Sequence, residues 1–105
     1  MRPNKYPPRP VIHVDVDGTL VTRGKLNREL AEWSKRMKEK GFELTLWSAQ
    51  GKEYCERIAK EHDVENCFDY FASKPSFIVD DLGWSWTKYT KVMHDLVDLN
   101  PIKQR

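Results

Sequence analysis

Two aspartates, separated by one valine, follow the most apolar short segment of the chain. Residues 11–20 read VIHVDVDGTL, so that Asp15 and Asp17 come directly before Gly18. Carboxylates this close repel each other, and burying either one is costly unless a cation or hydrogen bonds compensate. Asp and Gly also favour turns, so the pair alone has a plain structural explanation. Its chemical meaning depends on what other groups lie nearby.

Further polar groups follow the other apolar runs. Ser48 follows the run FELTLW. Lys74 lies between the runs CFDYFA and SFIV, and Asp80 and Asp81 come directly after SFIV. Carboxylate oxygens, without His or Cys, favour a hard cation, and Mg²⁺ fits best because it also binds waters and phosphate oxygens. If the four aspartates Asp15, Asp17, Asp80 and Asp81 gather at one edge, the sequence therefore predicts a Mg²⁺ ion among them.

Such a site could transfer a phosphoryl group. An ionised aspartate can attack phosphorus, and a second aspartate can act as general acid and then as general base. The hydroxyl of Ser48 and the free amides of its turn, that of Ala49 included, could hold phosphate oxygens. A lysine would neutralise the charge that builds up on the phosphoryl group.

These groups meet only if their strands lie in one parallel sheet. Apolar runs and helical periodicities alternate along the chain, which is typical of a parallel sheet with helices on both faces. The strands are predicted at 11–15, 42–47, 67–72 and 76–80, a hairpin or tight loop at 20–25, and helices at about 27–40, 52–62 and 87–99. Ligands of such sheets bind beyond the carboxyl ends of the strands, which is where the polar groups stand.

Size and composition indicate one small domain. The chain has 105 residues and a net charge of +2, which does not by itself indicate a nucleic-acid partner. Residues 1–10 are rich in proline and are predicted to be an extended tail, leaving 11–105 as the domain. The sequence shows neither a membrane-length apolar run nor a secretory leader, and Cys55 and Cys67 suggest free thiols. We therefore expect a cytoplasmic protein.

The order of these motifs resembles that of the haloacid dehalogenase-like (HAD) phosphohydrolase superfamily. DVDGTL is similar to its first motif, the serine of LTLWSAQ to its second, the lysine of SKP to its third and FIVDD to its fourth. The resemblance covers about residues 10–82. It implies a three-layer, Rossmann-like parallel sheet with helices on both faces. The short spacings between the motifs leave no room for a cap domain, so a minimal capless member is expected.

The resemblance also implies residue roles. Asp15 would be the nucleophile and a metal ligand, and Asp17 would be the acid and base, with its main-chain carbonyl on Mg²⁺. Thr19 would support this loop on the phosphate side. Ser48 would bind phosphate with its turn, and Lys74 would bind both phosphate and the nucleophile. Asp80 and Asp81 would hold Mg²⁺, one of them directly; the sequence leaves open which one, and Lys52 or Lys88 could replace Lys74.

The implied function is a Mg²⁺-dependent phosphatase that forms an aspartyl-phosphate. Two alternatives stay open: a phosphorylatable, receiver-like signalling domain, and a catalytically inactive metal-binding domain. The order of the motifs is unlike that of receivers, which place the acceptor aspartate later in the chain. The sequence does not choose between a small phosphate ester and a macromolecular end, nucleic acid included. It leaves the oligomeric state open and indicates no membrane partner.

Overall fold

The structure is a computed structural model that describes residues 10–94. Pro10–Ser76 form one compact unit, and the described residues from Phe77 onward belong to a second. Along the chain the elements are β1 (Val11–Asp15), β2 (Val21–Thr22), β3 (Lys25–Leu26), α1 (Arg28–Glu39), β4 (Glu43–Ser48), α2 (Lys52–Glu61), a 3-10 helix (Glu65–Cys67), β5 (Tyr70–Ser73) and a second 3-10 helix (Gly83–Tyr89). The fold is therefore mixed α/β.

The main sheet has three parallel strands in the order β1-β4-β5. Helix α1 connects β1 to β4, and α2 connects β4 to β5. Parallel crossovers are almost always right-handed, and both steps go in the same direction across the sheet, so both helices cover the same face. On the central strand, Leu44 and Leu46 point to that face and are completely buried. The carboxyl ends of all three strands consequently meet at one edge of the sheet.

Helix α1 forms because its apolar residues recur at helical spacing. Leu30, Trp33 and Met37 are all buried, which confirms the predicted helix. The chain enters the helix at Asn27, whose side-chain oxygen accepts a hydrogen bond from the Leu30 N–H at 3.1 Å. It leaves the helix at Gly41, whose φ of +99° lies in the left-handed region that suits glycine.

Replacing Asn27 with alanine is expected to lower the free energy of unfolding by about 1 kcal/mol, because the N–H of Leu30 loses its capping acceptor. Urea denaturation followed by circular dichroism measures this loss. Asn27→Asp, which keeps a capping oxygen, serves as the matched control and should stay close to the parent. Equal losses in both variants would contradict the capping role.

The hairpin and the absence of a cap agree with the sequence. Strands β2 and β3 pair antiparallel over Val21–Leu26 and Thr22–Lys25, as the short loop after the aspartates predicts. Only this hairpin separates β1 from α1, and only α2, a 3-10 helix and β5 separate β4 from Lys74. Within residues 10–94 the core therefore has no cap domain. No helix in that range is long and apolar enough to cross a membrane.

The prediction of a fourth strand at 76–80 is wrong. The structure has irregular chain there, with the side chains of Phe77, Ile78 and Val79 exposed by 90%, 52% and 101%. An apolar run becomes a strand only where another strand satisfies its backbone groups, and the run alone cannot supply that partner. The third predicted strand is shorter than expected, because Glu65–Cys67 forms a 3-10 turn before β5.

The predicted helix at 87–99 also differs from the structure. Its first residues complete the 3-10 helix that ends at Tyr89, and residues 90–94 are irregular. Residues 95–99 lie outside the described part of the chain. Helices on both faces of the sheet therefore stay a prediction, as does the single domain over 11–105.

Candidate active site

The two aspartates at the end of β1 are fixed by the loop that follows them. Val16 between them is completely buried and anchors this stretch in the core. The N–H of Leu20 donates to the Asp15 carbonyl at 3.1 Å, and the N–H of Gly18 donates to the Val21 carbonyl at 2.9 Å. Gly18 has a φ of +80°, which glycine adopts without strain. The chain therefore reverses tightly after Asp17 and keeps the two aspartates at the carboxyl edge of the sheet.

Lys74 lies against the first aspartate. Its Nζ is 3.1 Å from Oδ1 of Asp15, with the two side chains 41% and 30% exposed. Its own N–H donates to the Ser48 carbonyl at 2.9 Å, which ties the lysine to the end of the central strand. An ion pair this exposed contributes no more than about 1 kcal/mol to stability. Of the three lysines considered from sequence, Lys74 is the one that contacts Asp15 in the described part of the chain.

Ser48 ends β4 in a tight turn before α2. Its side chain is almost completely buried, and its Oγ accepts a hydrogen bond from the Gln50 N–H at 3.0 Å. The N–H of Gly51 donates to the Ser48 carbonyl at 3.1 Å, which closes the turn. Within residues 10–94, the Ser48 hydroxyl donates no hydrogen bond and the Ala49 N–H makes none. The N–H of Ala49, an exposed residue, is therefore available to an anion, and the buried Ser48 hydroxyl has an unused proton.

The second aspartate is held by two side chains that the sequence did not single out. Oδ1 of Asp17 accepts from the Tyr54 hydroxyl at 2.6 Å, and Oδ2 accepts from Nε2 of Gln50 at 2.8 Å. The hydrogen bond to Asp17 is the largest cause that raises the pKa of Tyr54 above its ordinary value, so the phenol is a donor at neutral pH. Gln50 lies in the turn before α2 and Tyr54 in the first turn of that helix, and no sequence motif marks either residue.

The structure brings together four of the predicted site residues. Asp15, Asp17, Ser48 and Lys74 all belong to Pro10–Ser76 and meet at the carboxyl edge of the sheet. Thr19 lies in the same loop as the aspartates, where its N–H donates to the Val16 carbonyl at 3.2 Å. Its predicted phosphate-side role stays a prediction.

Asp80 and Asp81 lie in the second unit, from Phe77 onward. Oδ1 of Asp80 accepts a hydrogen bond from the Leu82 N–H at 2.8 Å. This bond forms an Asx turn just before the 3-10 helix Gly83–Tyr89. This local bond explains why an aspartate suits the start of that segment. The metal-binding role of the two residues stays a prediction from the sequence.

The donor atoms around Asp15 suit Mg²⁺ in kind. Asp15 supplies a carboxylate and Asp17 a main-chain carbonyl, and Mg²⁺ usually takes one or two carboxylates from a protein and completes its shell with waters and phosphate oxygens. Among residues 10–94 no three or more His, Cys, Asp or Glu side chains are grouped as a metal site. Mg²⁺ binding at the β1 loop stays a prediction from the sequence.

Comparison of the chain with protein-family models, with curated proteins and with solved structures gives no match. What these residues do must consequently be argued from the geometry of the site and the chemistry of its groups.

Proposed function

We propose that the protein is a Mg²⁺-dependent phosphatase that works through an aspartyl-phosphate intermediate. The observation that supports this most directly is the 3.1 Å contact between Lys74 and Asp15. It lies beside the turn of residues 48–51 at the end of β4, called the serine turn below. It combines a carboxylate nucleophile, a cation for the developing charge and free donors for phosphate oxygens. The motif order of the HAD phosphohydrolases, which the sequence resembles, supports the same reaction.

In the first step, a carboxylate oxygen of Asp15 attacks phosphorus and the bond between phosphorus and the ester oxygen breaks. The leaving alkoxide takes the proton of the Asp17 carboxyl group, so an alcohol departs. Lys74, the Ser48 hydroxyl and the Ala49 N–H hold the phosphoryl oxygens while negative charge builds on them.

In the second step, Asp17, now a carboxylate, takes a proton from a water molecule. The water oxygen attacks phosphorus, the bond from phosphorus to Asp15 breaks, and inorganic phosphate leaves. The protein returns to its starting state, with Asp17 protonated and Asp15 ionised. Two aspartates with separate roles therefore account for the two-residue spacing.

Mg²⁺, when bound, would neutralise the charge of the phosphate and of Asp15 as they approach each other. Asp15 and the main-chain carbonyl of Asp17 are the groups that would hold it, and Asp80 and Asp81 are the proposed further ligands. We also propose that the fold is a Rossmann-like HAD core with helices on both faces of the sheet. We also propose a cytoplasmic location, because Cys55 and Cys67 are both free thiols.

Hydrolysis of p-nitrophenyl phosphate tests the proposed function. We expect release of p-nitrophenol with added MgCl₂, loss of activity with EDTA, and recovery when excess Mg²⁺ is restored. Hydrolysis that persists in EDTA would contradict the metal dependence. Incubation with acetyl phosphate, followed by intact-mass analysis, separates the alternatives: a stable phospho-adduct without turnover indicates a receiver-like domain, and neither adduct nor turnover indicates an inactive one.

A further inference from the structure

Both side-chain oxygens of Asp17 accept hydrogen bonds, one from the turn before α2 and one from the first turn of α2. The donors are the Tyr54 hydroxyl at 2.6 Å and Nε2 of Gln50 at 2.8 Å. One bond leaves a carboxylate free to rotate about it, whereas a bond to each oxygen fixes the plane of the group. The orientation of Asp17 is therefore set by Gln50 and Tyr54, 33 and 37 residues further along the chain.

The backbone segments that carry the two donors contact the rest of the site. Gln50 lies within the serine turn, where its N–H donates to the Ser48 Oγ at 3.0 Å. Tyr54 is half-buried in the first turn of α2, and the guanidinium of Arg57 lies 5.2 Å from the centre of its ring. The next residue, Cys55, is completely buried, and its Sγ lies 3.6 Å from the Ala72 carbonyl of β5. The backbone next to Tyr54 is therefore packed against the sheet.

We propose that Tyr54 and Gln50 are positioning residues that orient Asp17 to protonate the leaving group. The inference rests on the proposed phosphatase function and adds a determinant of which substrates the site can cleave. Because the same short segment carries Ser48 and both donors, the phosphate-binding turn and the orientation of the acid are set together. A substrate seated in the turn then meets a carboxyl group that is already aimed.

The consequence concerns the leaving group of the substrate. An alkyl phosphate releases a strongly basic alkoxide, so its cleavage depends on a well-placed acid. An activated aryl phosphate releases a stable phenolate and needs little protonation. The arrangement around Asp17 therefore suits phosphate esters of ordinary alcohols, and weakening it should damage these substrates selectively.

Tyr54→Phe tests the inference, since it removes the hydroxyl and keeps the ring. For glycerol 2-phosphate we expect kcat/KM to fall by about tenfold or more, a part of the usual range for general acid catalysis, while p-nitrophenyl phosphate stays within about twofold. The parameter kcat/KM reports the step in which the ester bond breaks. Gln50→Ala changes an exposed position and should shift the ratio of the two kcat/KM values in the same direction. It tests the inference independently if the tyrosine variant does not fold.

Tyr70→Phe is the matched control, because Tyr70 is 55% exposed on β5 and belongs to neither the site nor the core. It should leave both substrates unchanged. An equal loss on both substrates in Tyr54→Phe and Gln50→Ala would reduce the two residues to a structural role and overturn the inference. So would an unchanged or increased rate on glycerol 2-phosphate. If the parent protein hydrolyses neither ester, the proposed function itself fails, which is a separate result.

Discussion

Asp15→Asn is expected to lower kcat for p-nitrophenyl phosphate by at least about 10³-fold, in line with the loss of a nucleophile in other enzymes that form covalent intermediates. The amide cannot attack phosphorus, and because it is neutral it forms no ion pair with Lys74, whose Nζ lies 3.1 Å from Oδ1 of Asp15. Steady-state kinetics in excess Mg²⁺ measures the effect. Intact-mass analysis should show no phospho-adduct in this variant.

Stability should change little in the same variant. The Lys74–Asp15 pair is partly exposed, so its loss costs no more than about 1 kcal/mol. Asp63→Asn is the matched control: Asp63 is exposed, lies outside the site and has a φ of +57°, which asparagine also adopts readily. It should keep full activity. Full activity in Asp15→Asn would contradict an aspartyl-phosphate at this residue.

Leu46→Ala is expected to lower the free energy of unfolding by about 2–5 kcal/mol, the usual cost of truncating a buried leucine. Leu46 is completely buried on the central strand, where it pairs with Val14 on one side and Phe71 on the other. The loss combines the transfer free energy of the removed methyl groups with the cavity that they leave.

Urea denaturation, monitored by tryptophan fluorescence, measures this loss. Val79→Ala is the control for the same kind of truncation at an exposed position, since the Val79 side chain is 101% exposed. Its effect should stay within about 0.5 kcal/mol. A cost below about 1 kcal/mol for Leu46→Ala would contradict a well-packed core on this face of the sheet.

The parts of the fold that follow from local pattern could be predicted from sequence. Helix α1 and helix α2 show their buried faces as apolar residues at helical spacing, and Asn27 marks the first of them. The segment 76–80 could not be judged in this way. Its apolar run has the composition of a buried strand, yet a parallel strand depends on a partner distant in sequence, which a local pattern does not reveal.

The same distinction holds for the site. Asp15 and Ser48 could be placed in advance because the carboxyl ends of parallel strands meet at one edge. The partners of Asp17 could not, because each contact depends on how α2 packs against the sheet rather than on a motif. The sequence predicts Tyr54 on the inward face of its helix and Gln50 in a turn, and neither pattern indicates a contact with Asp17.

The central position of β4 has a consequence for local opening of the molecule. β4 is hydrogen-bonded to a strand on each side, whereas β1 is an edge strand among the described residues. Amides of doubly paired strands exchange with solvent only in the rarest openings, and edge strands fray more readily. The serine turn therefore follows the strand that opens last, whereas Asp15 ends an edge strand. Hydrogen exchange should therefore be slower for the amides of β4 than for those of β1.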